Sequence, residues 1–477
     1  MYEKITWVDF LIGLIYGMVL LFIMFFYAKK KKKQDNRYVY FFPVFLIKML
    51  VAFGFVLFFR YYYYGGDTFV YFMVSKDAVI MFFEDPVNFW KFLLSSRENF
   101  EFYSHPLGIR YGWFISSIDG FAMAKIMVFF NMLGLNSYIS TTFVMCLLSF
   151  WGLWKMYLTF SEIYPDYAKS LVYGILLVPS VMFWGSAILK DTLVIACIGL
   201  IVHGLYEMLV KQNQYYRMWL LILCFYLIFV TKPYVLYVFA PLVFLWIFNL
   251  RRKKITGRMM KLLIGPVYYI VVASVSGLIV YQVMQHGGKY SLDTLQKTLE
   301  GFYTWHKYLA ETQNQAGYDL GEFDPSISGI LKKIPAAINV SLFRPYPWEV
   351  RSLTMLMGSF EAVVFTLMTI FVFLQVGFFR TLKIIFHDEN LRFFFIFSIL
   401  FAAMVGLTSY NFGALNRYKI PMMPFYATLM IVVYQKALDR YRKRKQLSVL
   451  LMKKNVLKHL PAENSQYSST QSFNTDK

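Results

Sequence analysis

Apolar residues fall along this chain in long blocks separated by polar or mixed stretches. A membrane-crossing helix needs roughly twenty consecutive apolar residues. Runs near that length lie at about 7–28, 39–59, 138–160, 170–189, 192–210, 262–283, 352–379, 391–410 and 421–436. With the less regular stretches added, the pattern predicts an all-α polytopic membrane protein of about 10–12 transmembrane or re-entrant helices. The stretch 107–136 is only intermittently apolar, with Arg110, Asp119 and Lys125, and reads as interfacial or re-entrant.

The run 218–248 is too long for one ordinary span and carries Lys232-Pro233 at its centre. A lysine at mid-bilayer costs roughly 2.5–3.5 kcal/mol on insertion scales, and an interior proline breaks a helix. Basic residues flank both ends: Lys211 and Arg217 before it, Arg251 to Lys254 after it. A hairpin of two short helices with Lys232 at its tip satisfies these facts; a single tilted span is the alternative.

Two polar segments are too long to be simple connections. The first, about 60–110, opens with Arg60, four tyrosines and Gly65-Gly66-Asp67. The second, about 284–350, holds a helix-like polar stretch (Leu292 to Thr312) and a Gly/Asp stretch (Gly317 to Pro325), and closes with Phe343-Arg344-Pro345-Tyr346-Pro347-Trp348-Glu349. Loops above roughly 15 residues are usually functional or disordered, and the aromatic content of the first argues for order. Residues 1–436 thus form a multi-span membrane domain. After Lys436, residues 437–460 interleave Lys and Arg with Leu and Val, the pattern of a helix lying on anionic lipid. The Ser/Gln/Asn-rich end, 461–477, reads as disordered.

Composition sharpens the class. The 477 residues are 58% hydrophobic and only 16% charged, where soluble domains carry about 25% charged residues. The net charge of +21 sits beside apolar runs, at Lys29 to Lys33, Arg251 to Lys254 and beyond Lys436. That placement marks cytoplasmic loops and contact with membrane lipids, and argues against nucleic acid as a partner. It predicts a multi-pass protein of the cell (inner) membrane with a cytoplasmic C-terminus and both long loops extracytoplasmic. The first apolar run ends in lysines rather than in a small-residue cleavage site, so no cleavable signal peptide is expected. Cys146, Cys197 and Cys224 all lie within apolar runs and read as packing residues.

Under this topology the long loops, Lys190-Asp191, Lys232 and the loop with Arg417 and Lys419 share one face. Polar residues gathered beside a membrane suggest a site. Asp67 follows two glycines and can act as a general base or hold a divalent cation; as a helix N-cap it would do neither. Lys190-Asp191 is a self-neutralising turn or brings a second acid to the site. Lys232 suits a lipid phosphate, or reaches ordinary headgroups. Arg344, stiffened by two prolines, can bind phosphate while Trp348 stacks on a sugar; anchoring of the loop is the rival. For Arg417 and Lys419 the phosphate and headgroup readings are equal. No Walker A motif, Gly-rich nucleotide loop or HExxH occurs, so no nucleotide cofactor is expected and a donor would come from the membrane itself.

The order of these features resembles the GT-C superfamily of integral membrane glycosyltransferases, especially bacterial members related to protein mannosyltransferases and aminoarabinose transferases. In that family an acidic motif and an aromatic open the first outer loop, as Gly66-Asp67-Thr68 and Tyr71 do here. His105-Pro106-Leu107 resembles its His-Pro-Pro-Leu element, one proline short, and Thr231-Lys232-Pro233 its Thr-Lys-Gly. Arg417-Tyr418-Lys419-Ile420-Pro421-Met422-Met423-Pro424 fits its Arg-Tyr-x-x-Pro-x-x-Pro in full. The usual Asp-Glu pair is absent, since Thr68 follows Asp67.

The resemblance implies transfer of a sugar from a polyprenyl-phosphate-linked donor to a glycan, lipid or protein acceptor. Asp67 would be the base, with Asp191 a second acid. Lys232, Arg344, Arg417 and Lys419 would bind the donor phosphate, and Tyr71, His105, Trp348 and Glu349 would line the sugar and acceptor loops. Polysaccharide polymerases of the EpsG and O-antigen type share this chemistry and are the near alternative. A lipid-linked saccharide transporter or flippase is the rival outside enzymes, although no internal repeat is seen and Glu361 is the clearest of few deep charges. A purely structural subunit would leave the outer charges scattered.

Overall fold

A computed structural model describes residues 6–252 except Gln214, then 317–321 and 327–458, with isolated positions between 253 and 316. The chain is a multi-pass helical membrane protein. Among the described residues there is no strand, and the one bridge joins Gly317 to Asn411. Among the described residues, seven helical segments are long and apolar enough to cross a membrane: Trp7–Lys32, Asn36–Tyr63, Tyr138–Ile163, Lys190–Val210, Pro233–Arg252, Leu353–Val376 and Glu389–Ser409.

The helices in chain order are α1 (Trp7–Lys32), α2 (Phe41–Phe58), α3 (Asp67–Glu84), α4 (Pro86–Leu94), α5 (Pro106–Ile115), α6 (Ile118–Leu133), α7 (Tyr138–Ile163), α8 (Ala168–Leu171), α9 (Pro179–Trp184), α10 (Lys190–Leu205), α11 (Met218–Thr231) and α12 (Pro233–Arg252). After the gap in description come α13 (Ile327–Phe343), α14 (Leu353–Val376), α15 (Phe378–His387), α16 (Glu389–Ser409), α17 (Phe412–Tyr418) and α18 (Met423–Lys458).

The segment 60–110 is mostly helical. Asp85 caps α4 through the Asn88 N–H, and His105 caps α5 through the Leu107 N–H, each followed by a proline at the first helical position. The stretch 107–136 holds two helices, α5 and α6, with the Ser117 side chain capping the second through the Gly120 N–H. The apolar run 170–189 does not form one span. It breaks into α8, a π-turn at Val172–Leu176 and the short α9. The run 218–248 divides at Lys232, and α11 and α12 fold back on one another with Phe225 stacked on Phe244 at 5.8 Å. The fold-back at Lys232 matches the hairpin rather than the single span, but only α11 is short, since α12 is long enough to cross a membrane.

The segment 284–350 departs from a loop at its end. Residues 327–343 form α13, which lies along α16 with the Ser341 hydroxyl donating to Ala402 O at 2.7 Å. The expected helix over Leu292 to Thr312, the span over 262–283 and the 461–477 tail lie outside the described residues. The basic segment after Lys436 continues α18 without a break to Lys458.

Packing at the centre of the bundle follows from small residues and rings. With no water to exclude between helices in a membrane, close approach and dispersion hold them together. The tightest crossing is α7 on α10: a Cβ on Gly199 would lie 2.0 Å from Gly152 O. Trp246 stacks on Phe393 at 5.3 Å, and Phe425 sits 5.0 Å from Phe397, locking α12, α16 and α18. Such ring pairs contribute about 0.5–1.5 kcal/mol each beyond area.

Chain direction sorts the charges to two ends. At one end Arg37 donates to Leu158 O and Ser161, Lys211 pairs with Glu162 and Glu207, and Asp388 accepts from Tyr164 and Lys436. At the other end lie the close of α2, the start of α10, the α11–α12 junction and the close of α16. The candidate residues fall there.

Candidate functional site

The site begins where α2 ends. A π-turn over Phe59–Tyr63 leads to Tyr64 at φ 50° and Gly66 at φ 100°. The latter is a left-handed conformation that glycine adopts without a Cβ penalty. This reversal lets α3 start at Asp67. Gly66, not Asp67, occupies the cap position, and no side-chain cap bond forms there. The capping alternative for Asp67 therefore does not hold: its Oδ2 accepts from Arg417 Nη2 at 3.0 Å.

Arg417 belongs to the seven-residue α17, capped by the Asn411 side chain through the Gly413 and Ala414 N–H groups. Its Nε lies 4.0 Å from Asp191 Oδ2, at the start of α10. Asp191 Oδ1 accepts from Lys232 Nζ at 2.5 Å, and that ammonium sits 4.5 Å from the centre of the Tyr418 ring. Asp67, Arg417, Asp191 and Lys232 thus form a continuous chain of alternating charge. Lys190 does not neutralise its neighbour Asp191; it reaches Asp119 at 2.6 Å, with its ammonium 5.7 Å from the Tyr71 ring.

Exposure falls from 42% for Asp67 through 23% for Arg417 to 1% for Asp191, and Lys232 at the far end is 7% exposed. The cluster is open at Asp67 and sealed at Asp191. Asp191 is therefore an internal counter-ion with no face toward a substrate. Burial works against the charge on Arg417, but Asp67 and Asp191 outweigh it and push the guanidinium's proton affinity up. Removing one member of the sealed Lys232–Asp191 pair leaves an uncompensated buried charge, at a cost of about 3–5 kcal/mol.

Other expected residues are placed differently. Lys419 points away from Arg417 and is 0% exposed beside Glu361, so no headgroup reaches it. Arg344 is bound through both Nε and Nη2 to Glu349, which also accepts from the Tyr346 N–H at 2.7 Å. Its guanidinium lies 5.4 Å from the Phe412 ring, so the pair anchors the segment after α13 to the start of α17. His105 spends both ring nitrogens within the fold, Nδ1 on the Leu107 N–H and Nε2 on Asn88 O. Tyr71 is 4% exposed, edge-on to Phe114, and lies beneath the cluster rather than on its surface. Trp348 is 80% exposed and stacked on Tyr346, an open ring face.

The donor set does not suit a divalent cation. Asp67 meets a guanidinium, Asp191 meets an ammonium, and the described residues bring no group of three or more His, Cys, Asp or Glu together. A metal at Asp67 would face Arg417 charge against charge.

Several contributors escaped the sequence reading. Asp119 stands out only once Lys190 is seen to need a partner. Trp184, whose ring is 5.9 Å from the Arg417 guanidinium, looks like any aromatic in an apolar run. Lys48 carried a signal, since a lone lysine mid-span is a flag in itself. It is fully buried and donates to Val181 O at 3.3 Å.

No family model, curated protein or solved structure matches this chain.

Proposed function

We propose that this membrane protein is a glycosyltransferase that moves a sugar from a polyprenyl-phosphate-linked donor to a hydroxyl of a glycan, lipid or protein acceptor on the extracytoplasmic side. The observation that supports it is the meeting of Asp67, Arg417, Asp191 and Lys232 at one end of the bundle, from four distant parts of the chain. The basic runs at the opposite end favour a cytoplasmic placement for that end.

In this reading Asp67 takes the proton of the acceptor hydroxyl as its oxygen bonds to the sugar's anomeric carbon. The bond from that carbon to the phosphate oxygen breaks, and its electron pair leaves with the phosphate. Arg417, partly exposed beside Asp67, meets the growing negative charge, which is where a fixed cation lowers the barrier most. Lys232 and Asp191 hold the guanidinium's field in place from below. The exposed tyrosines at 61–64 and Trp348 offer ring faces at the same end of the bundle. The test is transfer from polyprenyl-phosphate-linked hexoses by the protein in nanodiscs, comparing wild type with Asp67→Asn. Loss of transfer is expected, and full activity in the variant removes Asp67 from the base role. Products extended by many units rather than one would assign the polymerase branch of the same chemistry.

A second reading is translocation of a lipid-linked saccharide. The broken segment 168–184, with Lys48 and Glu361 buried beside it, is the kind of discontinuous helix that transport sites use. Flux of such a lipid across proteoliposomes without any sugar transfer would favour it.

A further inference from the structure

Glu361 lies in α14 and is 1% exposed. Its Oε2 accepts the backbone N–H of Ser180, at the start of α9, at 2.6 Å. Its Oε1 lies 3.3 Å from Lys419 Nζ, the residue that ends α17, at an angle that makes an ion pair rather than an aligned hydrogen bond. One turn earlier on both helices, Gly358 lies directly against the Asn416 side chain. The face of α14 from Gly358 to Glu361 therefore grips the face of α17 from Asn416 to Lys419.

Arg417 sits between those two gripped residues and projects the other way, toward Asp67 and Asp191. The other element that Glu361 touches, α9, ends at Trp184, whose ring lies against the Arg417 guanidinium. One carboxylate thus joins the helix that carries the arginine to the helix that carries the ring beside it. A helix broken inside a membrane leaves backbone groups that must find partners. For α9 they include two charged side chains: Glu361 takes the Ser180 N–H, and Lys48 donates to Val181 O, which also accepts the Gly185 N–H.

We infer that Glu361 is a positioning residue for Arg417, fixing α17 against α9 so that the guanidinium is presented to Asp67 and to a substrate phosphate. The inference rests on the reading of Arg417 as the phosphate-meeting cation, but the hold on α17 is a separate physical claim. Two readouts on the full chain in nanodiscs test it. The first is hydrogen exchange over 179–184 and 412–418 in wild type, Glu361→Gln and Glu361→Gln/Lys419→Met. In the single variant both segments are expected to exchange roughly tenfold faster while the centres of α7 and α10 stay protected. In the double variant, which leaves no unpaired ammonium and keeps an acceptor for the Ser180 N–H, loosening is expected in 412–418 alone.

The second readout is binding of a long-chain polyprenyl phosphate, followed by native mass spectrometry. Glu361→Gln is expected to weaken it by about tenfold, and to have no further effect in an Arg417→Ala background. Uniform loosening in both variants, unchanged exchange at 412–418, or additive losses in that background would each overturn the positioning role. If wild type binds no polyprenyl phosphate while the exchange pattern holds, the phosphate reading of Arg417 fails and the grip on α17 stands.

Discussion

Arg417 Nη2 donates to Asp67 Oδ2 across 3.0 Å, although 350 residues separate the two in the chain. The contact joins the turn after α2 to the short helix between α16 and α18. Asp67 is placed by the reversal at Gly66, and Arg417 by a seven-residue helix held from three sides. Tyr318 packs on Tyr410 and accepts its N–H, Arg344 lies over Phe412, and Gly358 with Glu361 meets Asn416 and Lys419.

Arg417→Lys keeps the charge and loses the planar fork. A lysine ammonium cannot reach toward Asp67 and Asp191 at once, so transfer, measured as kcat/KM for a lipid-linked donor, is expected to fall by roughly 10²–10³-fold. Activity retained within about threefold would show that only the charge matters.

The Asp191–Lys232 pair makes an asymmetric prediction. Lys232→Met leaves Asp191 with Arg417 at 4.0 Å, whereas Asp191→Asn leaves the Lys232 ammonium buried beside no carboxylate. The aspartate variant should therefore lose more stability, of order 3–5 kcal/mol, and the double variant less than the sum of the singles. Equilibrium unfolding in detergent with a graded denaturant measures all three, and strict additivity would contradict the direct pair.

Asp388 predicts a dependence on pH. Burial raises its carboxyl, but Lys436, the Tyr164 hydroxyl and the Leu391 N–H outweigh it and hold the carboxyl below its ordinary value. A depressed folded value stabilises the fold above the unfolded value of about 3.9 and is lost as pH falls through the folded one. The thermal midpoint should drop on acidification through that window, and Asp388→Asn should lower it at neutral pH while flattening the acid slope. An unaltered slope in the variant would place the acid sensitivity elsewhere.

Two glycines of similar sequence setting should respond oppositely to alanine. A Cβ on Gly199 meets the Gly152 backbone oxygen at 2.0 Å, so Gly199→Ala must push α7 and α10 apart, at a cost of about 1–3 kcal/mol. A Cβ on Gly54 in α2 meets nothing within 4 Å, so Gly54→Ala is expected to be neutral or stabilising by up to roughly 1 kcal/mol. Thermal midpoints of the two variants settle the comparison, and equal destabilisation would reject the close crossing.

Much of this protein is written in its hydropathy. A bilayer forces every spanning backbone group into internal hydrogen bonds, so apolar length alone determined the helical class and the approximate places of α1, α2, α7, α10, α14 and α16. The break at Lys232 was also legible, because a lysine and a proline in mid-run are costly in any uninterrupted span. What pairs with what was not legible. Lys190 and Asp191 are adjacent, yet one turns to Asp119 and the other to Lys232. Arg417 and Lys419 share one short motif, yet face opposite sides of α17. Local sequence fixes which residue types carry charge, but a charge in a low-dielectric bundle takes whichever opposite charge the helix crossings bring within reach. Those crossings are set by packing between segments far apart in the chain, such as Gly152 on Gly199, and only the tertiary structure decides them.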